Sequence, residues 1–508
     1  MNPIADASPA APAARPDDGP LWRADPDGSA LQFAEVEVPL DYEDAGGEHI
    51  TVAVGRIPAL DPAKRRGVLV AFNGGPGGHN AQGRLMPLRL AGTAVHEVYD
   101  LIGFDTRGWG ASAPVLREVV QGKAPWSSRP ADEDFAQIAE DVRATEEGAA
   151  RAGGTLRAHI TTRNVARDLD RIRVALGEDR ISLLAYADAT YPACVYGTLF
   201  GEHVDRHVFD SSVDPGGLWR GQYMAQAEAI RANVDAWAAW VGERDGVFGL
   251  GGDGDAVIAG IEETAAALHA EPFCGLDRTF FDNIVGNGAQ HRPLWDQLAD
   301  TVRGLRDRNH AAVEAAWLFA ASEWEQPAPG QTHTSGLVEA ITAEAEWPTD
   351  LETYFADMRL FRERYPYGNG VMRAQPWVVA FREDKPREPM TRVTRERYGP
   401  GLVVHAAGNP MLSHAGGAAM AALVDDRLVT VEDDGSNEMF AVRGNAAVDA
   451  LVTGYLVDGR LPEADVTVPG TPRPAVGPAR AAGSGPRLPD TEHVKHYLTE
   501  YRAAARRR

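Results

Sequence analysis

Ile181-Ser182-Leu183-Leu184-Ala185-Tyr186-Ala187-Asp188-Ala189-Thr190 decides the fold. A short apolar run of the kind buried on both faces ends at Tyr186, small residues follow, and a helical pattern runs from Thr190 to Phe200. Upstream, Thr162 to Ala175 reads as a helix. Val68-Leu69-Val70-Ala71-Phe72 and Asp100-Leu101-Ile102-Gly103-Phe104 are two more continuous apolar runs. Helix alternating with buried strand predicts a mostly parallel α/β sheet with right-handed crossovers. Two period-two segments, Ala34 to Leu40 and His49 to Val54, flank the turn Asp44-Ala45-Gly46-Gly47, which predicts an antiparallel entry hairpin.

The texture changes over residues 216–395, where long amphipathic stretches replace the alternation. They cover Arg220 to Val241, Asp255 to Ala270, His310 to Glu325, Ser335 to Ala345 and Leu351 to Tyr365, and predict an all-helical lid insertion. Sheet character returns at Gly401 to His405 and Arg427 to Val431. The chain therefore divides into a disordered leader (1–28), a core (29–215), the lid (216–395), the rest of the core (396–466) and a Pro/Gly-rich linker with a C-terminal helix (467–508). Asp490 caps that final helix, and Arg506-Arg507-Arg508 suits its negative end.

Strand, sharp turn and helix at 181–190 is the layout of a nucleophile elbow, written Gly-x-Ser-x-Gly. Here its glycine positions hold Ala185 and Ala189 and its nucleophile position holds Ala187, whose methyl group cannot attack a carbonyl. Asn73-Gly74-Gly75-Pro76-Gly77-Gly78 follows an earlier strand, and glycines there let backbone N–H groups approach a ligand closely. With Gly103 to Ser112, Glu202-His203-Val204-Asp205 and Gly444 to Asp449, these segments resemble the tripeptidyl-aminopeptidase-like branch of the α/β-hydrolase fold, related to proline iminopeptidase. The resemblance runs from about Leu31 to Gly470 and implies a mostly parallel sheet flanked by helices under a helical lid. It also places the family's serine on Ala187, its aspartate on Asn409 and its histidine on Ser436, so that all three triad positions are replaced.

The family is typically secreted and disulfide-bonded, whereas this chain has only Cys194 and Cys274. The first twenty residues carry neither a basic start nor an apolar run, so a cytoplasmic protein is expected. No segment approaches the roughly 18 apolar residues of a membrane span. A formal net charge of −23 disfavours nucleic acid and anionic membranes as partners. Metal-ligand spacing, phosphate loops and dinucleotide fingerprints do not occur, so no cofactor is expected.

Asp188 reads as a general base in the pocket, or as a carboxylate complementing a helix start. His79, Ser436 and Asn409 complete the candidate catalytic set. Asn73, Gly74, Gly75, Tyr186, Asn437, Glu438, His414 and Trp219 are candidate substrate contacts, with Tyr186 favoured as core. Asp105 and Arg107 read as a structural turn. Tryptophans 219, 237, 240, 295, 317, 324 and 347 suit lid core or an aromatic-lined cavity for a large flat ligand. An intact glycine loop beside a missing nucleophile predicts a non-hydrolytic enzyme of natural-product biosynthesis performing addition, cyclisation or carbon–carbon coupling on a bulky aromatic molecule. The alternatives are a silent small-molecule binder, or a hydrolase or peptidase whose nucleophile has moved to Ser211, Ser212 or Ser413.

Overall fold

The computed structural model describes residues 19–75, 83–320, 330–386, 388–476 and 487–506. Most of the expected leader therefore lies outside the described residues. Its last part joins the sheet: β1 (Arg23–Ala24) pairs antiparallel with β2 (Gln32–Pro39), and the Arg56 guanidinium lies 4.1 Å from the Trp22 ring.

The remaining strands are β3 (His49–Ile57), β4 (Gly67–Phe72), β5 (Tyr99–Phe104), β6 (Leu116–Glu118), β7 (Ile181–Tyr186), β8 (Val204–Asp210), β9 (His333–Ser335), β10 (Leu402–Ala406), β11 (Arg427–Glu432) and β12 (Val466–Pro469). Ten of the strands form one sheet in the order β1-β2-β3-β5-β4-β7-β8-β10-β11-β12. Pairing is antiparallel from β1 as far as β5 and parallel from β5 onward. Every residue of β4 and of β7 is buried, as continuous apolar runs require of strands covered on both faces. Alternate side chains feed two cores: Val70, Phe72 and Leu183 pack against Tyr196, while Leu69, Ala71 and Leu184 pack against Tyr455.

Helix Thr162–Ala175 starts at Thr161, whose hydroxyl accepts the N–H of Asn164, and helix Thr190–Phe200 leaves the β7 turn. β4 and β7 run in register from Leu69 opposite Ser182 to Phe72 opposite Ala185. Their carboxyl ends therefore finish side by side, which sets Asn73–Gly75 against Ala187. Crevices at such strand ends are where open α/β sheets bind ligands.

The insertion between β8 and β10 builds its own core around Trp237, Trp295, Phe281 and Leu298, joined by Val494 and Leu498 of the C-terminal helix Thr491–Arg506. Two of its helices, Arg278–Ala289 and Trp295–Arg306, lie outside the five stretches read from the sequence. Nor is it all-helical: His333–Ser335 pairs antiparallel with Leu116–Glu118 in a two-stranded ribbon. Val466–Pro469 is the last strand of the sheet, so the first residues of the expected linker are structural.

Arg107 ties three elements together. Its guanidinium is fully buried, donates to both carboxylate oxygens of Asp168 at 2.6 and 2.7 Å, and donates to the carbonyls of Pro39 and Leu40 at 3.0 Å. Tyr42 adds a hydroxyl to the same carboxylate at 2.8 Å. Asp168→Ala would leave a buried cation unpaired, and we expect it to lower the unfolding free energy by about 3–5 kcal/mol in urea titration. Lys64→Ala, which breaks the exposed Lys64–Asp61 pair, should be indistinguishable from wild type in the same titration.

Candidate functional site

The cleft lies above the carboxyl ends of β4 and β7. Phe72, Asn73, Gly75, Phe104, Thr162, Asp188 and Ala189 line it from the core, and Trp219, Leu337 and Ile341 from the lid. It gives about 60 Å³ of room to the centres of water-sized molecules, enough for a few waters.

Ala187 turns the chain between strand and helix with φ +52°, a left-handed conformation uncommon outside glycine. Its carbonyl accepts the Thr190 hydroxyl at 2.7 Å, closing the turn. Gly74 sits directly against it: a Cβ there would lie 2.5 Å from both the Ala187 Cβ and the Tyr186 carbonyl oxygen. Only glycine allows the 73–75 loop to come this close.

Asp188 is the charged side chain at the centre of the cleft. Its carboxyl accepts the Gln222 amide at 2.5 Å, and the nearby backbone N–H groups of Gly75 and of Asp188 itself favour its charged form. Burial raises its pKa above the ordinary carboxylate value, opposed by those donors and reinforced by the negative charge of Glu438. Backbone N–H groups at a strand–turn–helix junction favour negative charge, and here the chain's own carboxyl lies beside two of them.

The other candidate residues separate. Asn73 lines the cleft, with its Oδ1 buried and unpartnered. Tyr186 is core: its hydroxyl donates to the Phe440 carbonyl at 3.0 Å and Arg89 lies 4.4 Å from its ring. Glu438, at φ +60°, forms a buried pair with Arg89 at 3.0 Å. Asn409 meets Asn437 at 3.1 Å and accepts the N–H groups of Met411 and Leu412, whereas Ser436 gives its backbone N–H to Asp434. His414 starts a helix and contacts Thr430 at 2.9 Å; burial lowers its pKa, and it does not line the cleft. Trp219 lines the cleft, while Trp237, Trp240 and Trp295 are buried in the lid core and Trp317 is exposed. His79 and Trp324 lie outside the described residues.

The three serines are all engaged. Ser211 donates to Asp210 and accepts the Glu438 N–H, Ser212 contacts Thr190, and Ser413 caps the helix His414–Leu423. Among the described residues, no histidine ring nitrogen reaches any of these hydroxyls.

Gln222 and Glu344, both from the lid, escaped the sequence reading. No spacing rule links Gln222 to a carboxyl 34 residues earlier in the chain. Glu344 accepts the Thr162 backbone N–H and hydroxyl, each at 2.9 Å, behind the cleft wall; its other oxygen is unpartnered, and burial pushes its pKa up to about 7.

Residues 365–468 match the TAP-like protein family. The chain is 30% identical over 475 residues to a tripeptidyl aminopeptidase of Streptomyces lividans, covering 87% of this chain and 85% of that protein. It belongs to the tripeptidyl aminopeptidase family. It is also 27% identical over 467 residues to serine protease Hip1 of Mycobacterium tuberculosis (86% of each chain), and 27% identical over 454 residues to carboxylesterase B of that organism (84% of each). These relatives are named as hydrolases. They overturn the expectation of a non-hydrolytic biosynthetic enzyme, and with it the lyase, cyclase and pseudo-hydrolase readings and the exclusion of hydrolase chemistry. The physical reason is plain: an alanine at 187 removes one nucleophilic atom, but it does not define a reaction class. Among the described residues, no helix is long and apolar enough to cross a membrane.

Glu344 makes stability depend on pH. A carboxyl whose folded pKa is about 7 and whose ordinary value is 4.5 binds an extra proton in the native state between those values. Its contribution is full below about pH 4.5 and is lost as pH rises through about 7. Glu344→Gln should flatten the fall in unfolding free energy between pH 5 and pH 8 by roughly 2–3 kcal/mol in denaturant titrations.

Proposed function

We propose that this chain hydrolyses a peptide or related acyl bond in the cleft, with a water molecule as the attacking group and Asp188 as its base. The observation that carries the reading is the Asp188 carboxyl, which lines the cleft, is held by the Gln222 amide and is raised in pKa by burial. The names of the relatives supply the bond class. Ala187, Asn409 and Ser436 stand where the resemblance places the family's triad, and none of them titrates near neutral pH.

The steps balance. Water adds its oxygen to the substrate carbonyl carbon and passes a proton to Asp188. Protonation weakens the carboxyl's hold on the N–H groups of Gly75 and Asp188, which are then free to receive the oxyanion. As the tetrahedral intermediate collapses, Asp188 returns the proton to the departing amine or alkoxide, releasing acid and amine or alcohol. Asn73 Oδ1, buried without a partner, is placed to accept a substrate N–H. We also place the activity in the cytoplasm, since the two cysteines, Cys194 buried and Cys274 exposed, are both unpaired thiols.

Asp188→Asn tests the reading on an N-terminally free tripeptidyl amide. We expect kcat to fall by about 10²–10⁴ with KM little changed. Wild-type hydrolysis in ¹⁸O-water under single-turnover conditions should place one heavy oxygen in the acid. Full activity of the variant, or the absence of any hydrolysis by the wild type, would refute the assignment.

A further inference from the structure

One cation near the cleft has no anion to meet. Arg373 ends the segment Tyr367–Arg373, and its guanidinium donates to Gln226 Oε1 on the lid helix Arg220–Gly242. Its Nε is buried and has no partner. Among the described residues, no carboxylate forms an ion pair with it, and the only group opposing its desolvation is the Tyr223 phenol, so that burial lowers its pKa to about 10. A neighbouring acid is already taken: Glu339, which influences Tyr223, is held by Arg117 at 2.8 Å. Burying a charge without a partner is expensive, so an unpaired guanidinium gains from any anion that reaches it.

The same helix carries the link to Asp188. Gln222, which binds Asp188, precedes Gln226, which binds Arg373, by four residues, so the two side chains leave the same face of the helix one turn apart. Tyr223 lies between them and feels both Asp188 and Arg373. Gln222 Oε1 is also buried without a partner, leaving an acceptor for a peptide N–H between the two charges.

Resting on the hydrolytic reading above, we propose that Arg373 receives a substrate carboxylate beyond the scissile bond, making the preferred substrates short peptides with a free C-terminus. A guanidinium on a carboxylate is a charge-assisted, geometrically selective contact, and it would end the isolation of the Arg373 Nε.

Equilibrium titration of pentaalanine and of pentaalanine amide into the Asp188→Asn protein measures recognition without turnover. We expect the free acid to bind ten- to a hundredfold tighter than the amide, Arg373→Gln to abolish that preference, and Arg373→Lys to keep part of it. A third peptide, Ala-Ala-Ala-Ala-Glu-amide, distinguishes a side-chain carboxylate from a terminal one: weak binding supports the terminal carboxylate, and binding as tight as the acid overturns that assignment. Equal affinities for pentaalanine and its amide, or a preference that survives Arg373→Gln, also overturn the proposal. Because these readouts are affinities, a carboxylate preference found in a protein that hydrolyses nothing would leave the Arg373 site standing while the hydrolytic reading falls.

Discussion

The geometry of the cleft depends on one constrained turn. Ala187 holds a left-handed backbone at φ +52° between a strand and a helix that are both buried, a conformation that costs an alanine about 1–2 kcal/mol. The surroundings enforce it from two sides. Thr190 closes the turn through its hydroxyl, and Gly74 fits beneath it only because it lacks a side chain. With the turn and the 73–75 loop interlocked, the N–H groups of Gly75 and Asp188 have little freedom to point elsewhere. The course of the backbone here is thus fixed by the packing of Gly74 and Thr190 against Ala187.

Placing a carboxyl beside the N–H groups of Gly75 and Asp188 looks self-defeating, since a fixed negative charge would repel an oxyanion. The contradiction disappears if the group changes charge during the reaction. As a carboxylate it is stabilised by Gln222 and the two N–H groups; once protonated it no longer competes for them. Burial and the nearby Glu438 both favour the proton, which brings the two states closer in energy. Glu438 cannot take over this role because Arg89 pins it in a buried pair. The Asn409–Asn437 contact, neutral on both sides, leaves Asp188 as the titrating group at the heart of the cleft.

The parts of the fold legible in the sequence are those where local signals agree. Thr162–Ala175 combines an N-cap with a marked apolar face, and Ile181–Tyr186 is a continuous apolar run, so both elements match their expected bounds. Helices Arg278–Ala289 and Trp295–Arg306 are buried on most faces; Gly286 and Gly288 interrupt the first, and burial of Asp300 and Arg303 as a pair blurs the polar side of the second. Asp188, Asn73 and Gly75 were legible because the elbow and the glycine loop are contiguous motifs. Gln222, Glu344 and Arg373 were not, since they reach the cleft region only through the tertiary fold of the lid. The reaction class is not legible at the elbow for a different reason: the absence of one hydroxyl at Ala187 says nothing of chemistry that other groups can carry.

Charge on the whole molecule sharpens the role of a local cation. With a formal net charge of −23, the protein as a whole repels anionic solutes. At physiological salt that field decays over about 8 Å, so it acts on approach and not within an enclosed cleft. Selection for a carboxylate must then come from short-range contacts in a poorly solvated place, where a guanidinium without a counter-ion gains most from finding one. The acidic charge of the whole and the unpaired Arg373 therefore do not conflict: the first discourages indiscriminate anion binding, and the second rewards a ligand that brings a carboxylate to it.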